Sequence, residues 1–273
     1  MTPRPPGPTG RQGDPPAWPD PVRSPDPQGV PAEDPVWTAG DGLPVTPAIT
    51  AYLRTVFLLR EGGIPVPTMQ IAQELGISGP SVTNMVKWLH ELGLVRHERY
   101  HGVELTEAGE RVALRATRLH RLLELYLVEA LGFTWDEVHD EADRLMPHVS
   151  EKLETRLEAV LGHPTSDPHG DPIPTRDGVI APVSDRRLLD LGAGAAATVA
   201  RVADRDPARL RYLADLGLVP GAVVDVLEVL PFDGPLRVRV GSTERMVGRP
   251  LAAAVYVVGF EPGTKPTAAA TYP

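Results

Sequence analysis

His120 and Glu124 stand four residues apart, as do His139 and Asp143. At about 100° per residue an i, i+4 pair projects from one helix face, so each pair offers an imidazole nitrogen and a carboxylate oxygen to the same point. Two such faces on adjacent helices can converge on one ion. His148 follows Pro147 directly and adds an imidazole that need not obey helical geometry. Imidazole with carboxylate suits Mn, Fe, Co, Ni or Zn, and the carboxylates together with the lack of any thiolate lean towards Mn(II) or Fe(II). The plain alternative for a lone pair of this kind is a surface contact worth roughly 0.2–0.5 kcal/mol. Two pairs and a helix-terminal histidine in neighbouring helices weigh towards ligation. A further group, His163, Asp167, His169 and Asp171, is interrupted by Pro and Gly and reads as the turns of a structural linker.

A second constellation is Ser78-Gly79-Pro80-Ser81-Val82-Thr83-Asn84, a polar, short-chained helix start of the kind that enters a major groove and reaches base edges. Ser78, Pro80, Ser81, Thr83, Asn84 and Lys87 are the candidate DNA contacts, with Arg99 in the loop that follows. Asn84 is the residue suited to bidentate reading of adenine. Val82, Val86 and Leu89 should face a core instead. A solvated N-cap is the competing reading of the same residues, and the surrounding elements decide between the two.

Those elements are legible from periodicity. Ile49, Leu53, Val56, Phe57 and Leu59 follow helical spacing, and Glu61-Gly62-Gly63 stops the helix. Thr68 is placed to cap a short helix through Leu75, Gly76-Ile77-Ser78 turns the chain, and a third helix runs over 79–92. Two helices joined by a glycine-containing turn form a helix-turn-helix. Residues 94–98 and 103–105 read as strands of a hairpin, the wing. Thr106 caps a leucine-rich helix to about Leu131, Thr134 caps another over 135–146, and Ser150 caps a last one to Leu161. Beyond a Pro/Gly/Asp linker, apolar runs over 196–202, 222–230, 236–240 and 254–260 alternate with turns, with a helical turn or two over 210–216. The fold class is mainly α with a β C-terminal domain. Its parts are a Pro-rich unstructured tail (1–44), a winged helix-turn-helix (45–110), a helical region (111–162), a linker (163–185), a small barrel-like β domain (186–261) and a short tail (262–273).

Composition narrows the function further. A chain of 273 residues with 42% apolar content supports two or three small cores. Cysteine is absent, which excludes disulfides, thiolate catalysis and sulfur-bound zinc. No run approaches the roughly 18 apolar residues of a membrane span, and the start lacks a signal-peptide pattern, so the expected location is the cytoplasm. The net charge of −9 argues against indiscriminate coating of nucleic acid. The reading segment is less acidic: Arg54, Arg60, Lys87, Arg96 and Arg99 balance Glu61, Glu74, Glu91, Glu98 and Glu104. No H-E-x-x-H, nucleophile elbow or phosphate loop supports a metallohydrolase, so no enzyme is expected. The alternative function is a metal-independent winged-helix regulator that answers to a small molecule or a protein partner.

Over roughly residues 46–260 the chain resembles the diphtheria-toxin-repressor/manganese-regulator (DtxR/MntR) family of metal-dependent transcriptional regulators. The likeness is carried by Tyr52-Leu53-Arg54, residues 77–83, Leu105-Thr106-Glu107-Ala108-Gly109, His120-Arg121-Leu122-Leu123-Glu124, Val138-His139-Asp140-Glu141-Ala142 and residues 167–174. Residues 212–221 are similar to the SH3-like (FeoA-type) domain of the longer members. The resemblance implies a helical dimerisation domain, a homodimer on palindromic double-stranded operator DNA, and repression of metal-uptake genes. It places His120, Glu124 and His139 on the family's ancillary metal site. Asp143 falls where iron-sensing members carry cysteine and manganese-sensing members glutamate, which favours Mn(II) over Fe(II). Met146-Pro147-His148 stands where the family has Glu-His, so that His148 takes the histidine's place with a one-residue shift and Met146 stands at the carboxylate's. Ala51 occupies a ligand position of helix one. Asp204 or Asp206 is the candidate donor from the SH3-like domain.

Overall fold

The computed structural model describes residues 37–38, 42, 44–60, 64–98 and 101–261. The expectations for residues 1–36, the helix stop at 61–63, Arg99 and residues 262–273 lie outside the described residues. Within the segment read as an unstructured tail, β1 (Trp37–Thr38) pairs antiparallel with β2 (Pro44–Val45). Val45 is buried in the first core, which anchors this short ribbon.

α1 (Pro47–Leu59) starts where Thr46 accepts a hydrogen bond from the Ile49 amide and Pro47 presets the first turn. Its buried residues Ile49, Tyr52, Leu53, Val56 and Phe57 recur at the spacing of one helix face. α2 (Thr68–Leu75) ends on left-handed Gly76, and α3 (Gly79–Glu91) is capped by Ser78. Thr68 proves to be the first helical residue rather than the cap: Pro67 stands at the N-cap, which restricts the residue before it to extended backbone. Val82, Met85, Val86 and Leu89 of α3 are buried, as their spacing requires. β3 (Val95–Glu98) and β4 (Gly102–Leu105) form the hairpin, and Val66 bridges to Val103 to extend it.

α4 (Glu107–Leu131) is capped by Thr106 and closed by left-handed Gly132. It serves several neighbours at once. Val112, Ala113 and Leu114 join the reading-head core, Leu119, Leu123 and Leu127 pack in the helical core, and Leu122 and Leu125 meet Ile173. Its first turn touches the wing so closely that a Cβ on Gly109 would sit 1.9 Å from the Leu94 carbonyl oxygen. α5 (Val138–Leu145) begins three residues later than the periodicity predicts, because Glu137 accepts hydrogen bonds from the Thr134 amide and hydroxyl and holds residues 134–137 as a turn. A 3-10 turn at Met146–His148 absorbs Pro147, and α6 (Glu151–Val160) follows its Ser150 cap.

The C-terminal region is a five-stranded antiparallel sheet with β5 (Ala196–Val202), β6 (Val223–Val229), β7 (Leu236–Val240), β8 (Thr243–Val247) and β9 (Val255–Glu261) in the order β8-β7-β6-β5-β9. Register shifts between β5 and β9 and between β6 and β7 mark bulges, which bend strands and increase their twist. α7 (Pro207–Asp215) and α8 (Arg249–Ala254) pack Leu210, Leu213 and Ala252 into its core. β8 and α8 escape the pattern reading for different reasons. β8 is mostly exposed and carries no apolar alternation, and α8 is a single alanine-rich turn and a half behind Gly248 and Pro250.

Between α6 and β5 the linker folds back over α4. Arg118 Nη1 donates to the Pro174 carbonyl (2.8 Å) and Arg121 Nη1 to the Pro172 carbonyl (2.5 Å). On the other side, the Val202 amide of β5 donates to the His169 carbonyl (2.8 Å). Gly170, at φ +86°, is wedged so tightly that a Cβ would lie 2.1 Å from the Ala200 carbonyl oxygen. Gly170→Ala is therefore expected to combine a strained left-handed backbone with a backbone clash, about 3 kcal/mol of destabilisation. A calorimetric unfolding midpoint several degrees below the parent is the expected reading, and an unchanged midpoint would show that the loop yields freely.

Candidate metal centre and reading head

α4 delivers His120 and Glu124 from successive turns with Arg121 beside them, α5 delivers His139 and Asp143, and the linker delivers Asp167 and His169. His120 is 2% exposed and Glu124 1%. The Glu124 Oε1 atom receives His120 Nδ1 at 3.1 Å and is also hydrogen-bonded to His139 Nδ1. Donor atoms of His120, Glu124 and His139 all lie within 4.8 Å of one another, as do those of Glu124, Asp167 and His169. The rings form a continuous stack. His120 and His139 have centroids 6.0 Å apart, His139 and His169 4.4 Å, and His169 and Trp135 5.4 Å.

Burial alone would raise the Glu124 carboxyl, yet His120 and His139 beside it hold it well below the usual carboxylate range. Asp167 behaves oppositely: burial, then the charges of Glu124 and Asp171, push its carboxyl well above that range. Burial and the neighbouring His139 lower His169, favouring a neutral ring with a lone pair. Asp143 is also lowered, against the effect of burial, by Arg54 first and then His120 and Arg205.

The residues present fit a divalent cation. His139 Nε2 and His169 Nδ1 are buried with no hydrogen-bond partner, a costly condition for a polar atom unless something else fills it. His120 Nε2 lies 3.0 Å from Asp143 Oδ1 but off the hydrogen-bonding direction, so it too lacks a proper partner. Nitrogen and carboxylate oxygen without sulfur is a donor set for manganese or iron(II).

His120, Glu124, His139 and Asp143 thus come together. Asp143 is engaged on its other side by Arg54 of α1, Nη1 to Oδ1 at 2.6 Å, and by Arg205 of the C-terminal region, Nη2 to Oδ2 at 3.7 Å. Arg205 also reaches Glu74 of α2 at 3.0 Å. Met146 is elsewhere, buried in the helical core with Leu119, Leu123 and Val149. His148 is exposed at the end of the 3-10 turn. Asp204 is taken up locally: its Oδ1 accepts the Arg205 and Asp206 amides and its Oδ2 pairs with Arg209 at 3.0 Å. Asp206 caps α7.

The helical i, i+4 rule does not reach Asp167, His169, Arg54 or Arg205. A signal for the linker pair exists in Asp167-Pro168-His169-Gly170-Asp171. An aspartate before a turn glycine accepts amides two and four residues on, here those of His169 (2.8 Å) and Asp171 (2.9 Å), and so builds a fixed loop.

On the reading head, Ser78, Pro80, Asn84 and Lys87 are exposed, whereas Ser81 and Thr83 are half-buried. The Ser78 and Ser81 hydroxyls are 2.8 Å apart, and Thr83 Oγ1 donates to the Gly79 carbonyl.

Comparison with known proteins agrees with this organisation. Residues 45–103 match a family model described as the iron dependent repressor N-terminal DNA binding domain, and residues 106–175 match the iron dependent repressor metal binding and dimerisation domain. Residues 186–259 match the FeoA domain. The iron-dependent repressor IdeR of Mycobacterium tuberculosis is 37% identical over 221 residues, 76% of this chain and 94% of the relative. The diphtheria toxin repressor of Corynebacterium glutamicum is 33% identical over 186 residues, 64% of this chain and 82% of the relative. A solved structure titled a manganese-dependent transcriptional repressor in complex with manganese superposes with a TM-score of 0.72 at 40% identity, covering 77% of this chain and 99% of that one. With a capped reading helix and wing, a buried nitrogen and carboxylate centre and a FeoA-type sheet in the same order, the chain belongs to the iron-dependent repressor family of metal-dependent, DNA-binding transcriptional regulators.

Proposed function

We propose that this chain is a repressor activated by Mn(II) in preference to Fe(II), and that it binds a palindromic operator as a twofold dimer to control metal-uptake genes. The observation that carries the metal reading is the convergence of His120, Glu124 and His139 in a largely buried cluster with unpartnered imidazole nitrogens. Those three residues are the proposed ligands. A bound divalent cation would supply the positive charge that the Glu124 and imidazole lone pairs lack.

The chain's own residues then transmit the event. Fixing the His120 ring fixes its neighbour Asp143, and Asp143 holds Arg54 on α1, whose buried face is part of the reading-head core. Ala51 presents no donor on the same helix, so the Asp143–Arg54 ion pair takes over the link to α1. A ligand shifts such an equilibrium only by its differential affinity for the two placements. Leu131, Phe133, Leu153 and Val160 are exposed apolar side chains of the helical region, which pairing with a second copy would cover.

Ser78, Pro80, Ser81, Thr83, Asn84 and Lys87 are proposed to face DNA, Asn84 as the base reader and Lys87 as a phosphate contact. Asn84→Ala is expected to cost about 1–3 kcal/mol on the operator and to relax specificity at one base pair. Lys87→Ala should instead weaken operator and non-operator DNA alike and lower the salt slope by about 1. Filter retention across a salt series checks both; identical effects on operator and random DNA for Asn84→Ala would remove it as a base reader.

A further inference from the structure

Arg205 reaches two other parts of the molecule at once. Its Nη1 donates to Glu74 Oε1 of α2 at 3.0 Å, and its Nη2 lies 3.7 Å from Asp143 Oδ2 of α5. Asp143 Oδ1 in turn holds Arg54 of α1. Glu74, Arg205, Asp143 and Arg54 therefore form a row of charges alternating in sign, drawn from the reading head, the C-terminal region and the helical region. We infer that Arg205 is a positioning residue for DNA binding: through it the FeoA-type domain holds α2 beside the metal centre and lowers the metal concentration that operator binding requires. This rests on the metal-switched reading above and goes beyond it in giving the C-terminal domain a part in the switch for which it donates no metal ligand.

The backbone that presents Arg205 is fixed. The Ala203 amide donates to the Ala254 carbonyl (2.8 Å), Asp204 Oδ1 accepts the Arg205 and Asp206 amides, and Asp206 caps α7. A planar guanidinium with five donors can serve two carboxylates from such an anchor.

An exposed ion pair is by itself worth little, and the side chains of Glu74, Arg205 and Asp143 are 36%, 40% and 43% exposed. The leverage of this pair comes from where it acts. Ile71 and Ala72 of α2 lie in the same core as Ile49 and Leu53 of α1, so the two helices move as one body. A body held at one point pivots, and a second point fixes its orientation. Arg54 supplies the first point and Glu74 the second. In this placement the donor atoms of His120, Glu124 and His139 already lie within 4.8 Å of one another. The Arg205 contact thus favours the same placement that a bound ion favours, and less metal is needed to populate it.

The test is operator retention by the full-length protein across a Mn(II) series for the parent, Arg205→Gln, Arg205→Lys, Glu74→Gln and the double variant carrying Arg205→Gln with Glu74→Gln. Thermal unfolding of the metal-free proteins verifies that each fold survives. Arg205→Gln is expected to raise the Mn(II) concentration for half-maximal retention roughly fivefold, the loss of two partly exposed pairs, with retention at saturating Mn(II) close to the parent's. Arg205→Lys keeps the charge and should stay within about twofold of the parent. The shift caused by Glu74→Gln should be smaller in the Arg205→Gln background than in the parent, because any direct effect of the Glu74 charge on DNA enters both backgrounds equally. The gap between the parent and Arg205→Gln should also narrow as ionic strength rises, which a packing defect would not do. An unmoved metal requirement in Arg205→Gln, an equal loss in Arg205→Lys, a Glu74→Gln shift of the same size in both backgrounds, or a gap indifferent to salt would overturn the assignment and leave the metal switch standing. A parent retained alike with and without Mn(II) would remove the metal-switched reading and this inference with it.

Discussion

Glutamine in place of Glu124 is expected to raise the Mn(II) concentration needed for half-maximal operator retention roughly 100-fold, about 2.8 kcal/mol at 1.4 kcal/mol per decade. Glu124 is the shared member of both donor sets, and its carboxylate is the group that His120 and His139 converge on. The substitution keeps the shape and removes the charge. In the metal-free protein the same residue should leave a pH signature. Its folded carboxyl is held below the ordinary range, so its contribution is fully present above the unfolded value of about 4.3 and is lost as the pH falls through the lower folded value. The stability gap between the parent and Glu124→Gln, read from urea midpoints, should therefore close in acid. A gap that is constant from neutral pH to strong acid, with an unchanged metal requirement, would mean that Glu124 is only a packing residue.

Arg54→Ala is expected to separate metal binding from DNA binding. Arg54 is buried and reaches Asp143 at 2.6 Å, but the Asp143 side chain is 43% exposed. Breaking a fully buried pair costs about 3–5 kcal/mol, and solvent screening at Asp143 brings the expected loss to about 2 kcal/mol. The larger effect lies in coupling. His120, Glu124 and His139 are untouched, so Mn(II) should bind within a few-fold of the parent, while operator affinity at saturating Mn(II) should fall towards the metal-free level. Parallel Mn(II) titration and gel retention would read the two separately. A variant whose operator affinity still rises with Mn(II) as in the parent would show that α1 takes its signal by another route.

The helical half of this molecule is legible because its signals are local. Ser78, Thr106 and Ser150 each accept the amide three residues on, and the apolar rows of α1, α3 and α4 repeat at helical spacing, so element type and inward face follow from the chain itself. The pairs His120/Glu124 and His139/Asp143 are visible for the same reason. What escaped depends on contacts distant in sequence. Asp167 and His169 reach Glu124 only because Arg118 and Arg121 pull residues 172–174 onto α4 and β5 clamps the other side. Arg205 meets Asp143 and Glu74 across the reading head, the helices and the sheet, a juxtaposition with no periodicity to announce it. Asp204, which the resemblance offers as a donor from the SH3-like domain, has its oxygens on the turn before α7 and on Arg209. Met146 stands at the family's carboxylate position and packs in the core.

Retention of labelled promoter DNA of a metal-uptake gene by chelator-stripped protein, at fixed salt and increasing Mn(II) or Fe(II), tests the metal-switched repressor most directly. Retention absent in chelator, restored by metal at lower Mn(II) than Fe(II), and lost in His139→Ala is the predicted result. Strong retention in chelator, unaffected by metal and by His139→Ala, would contradict it.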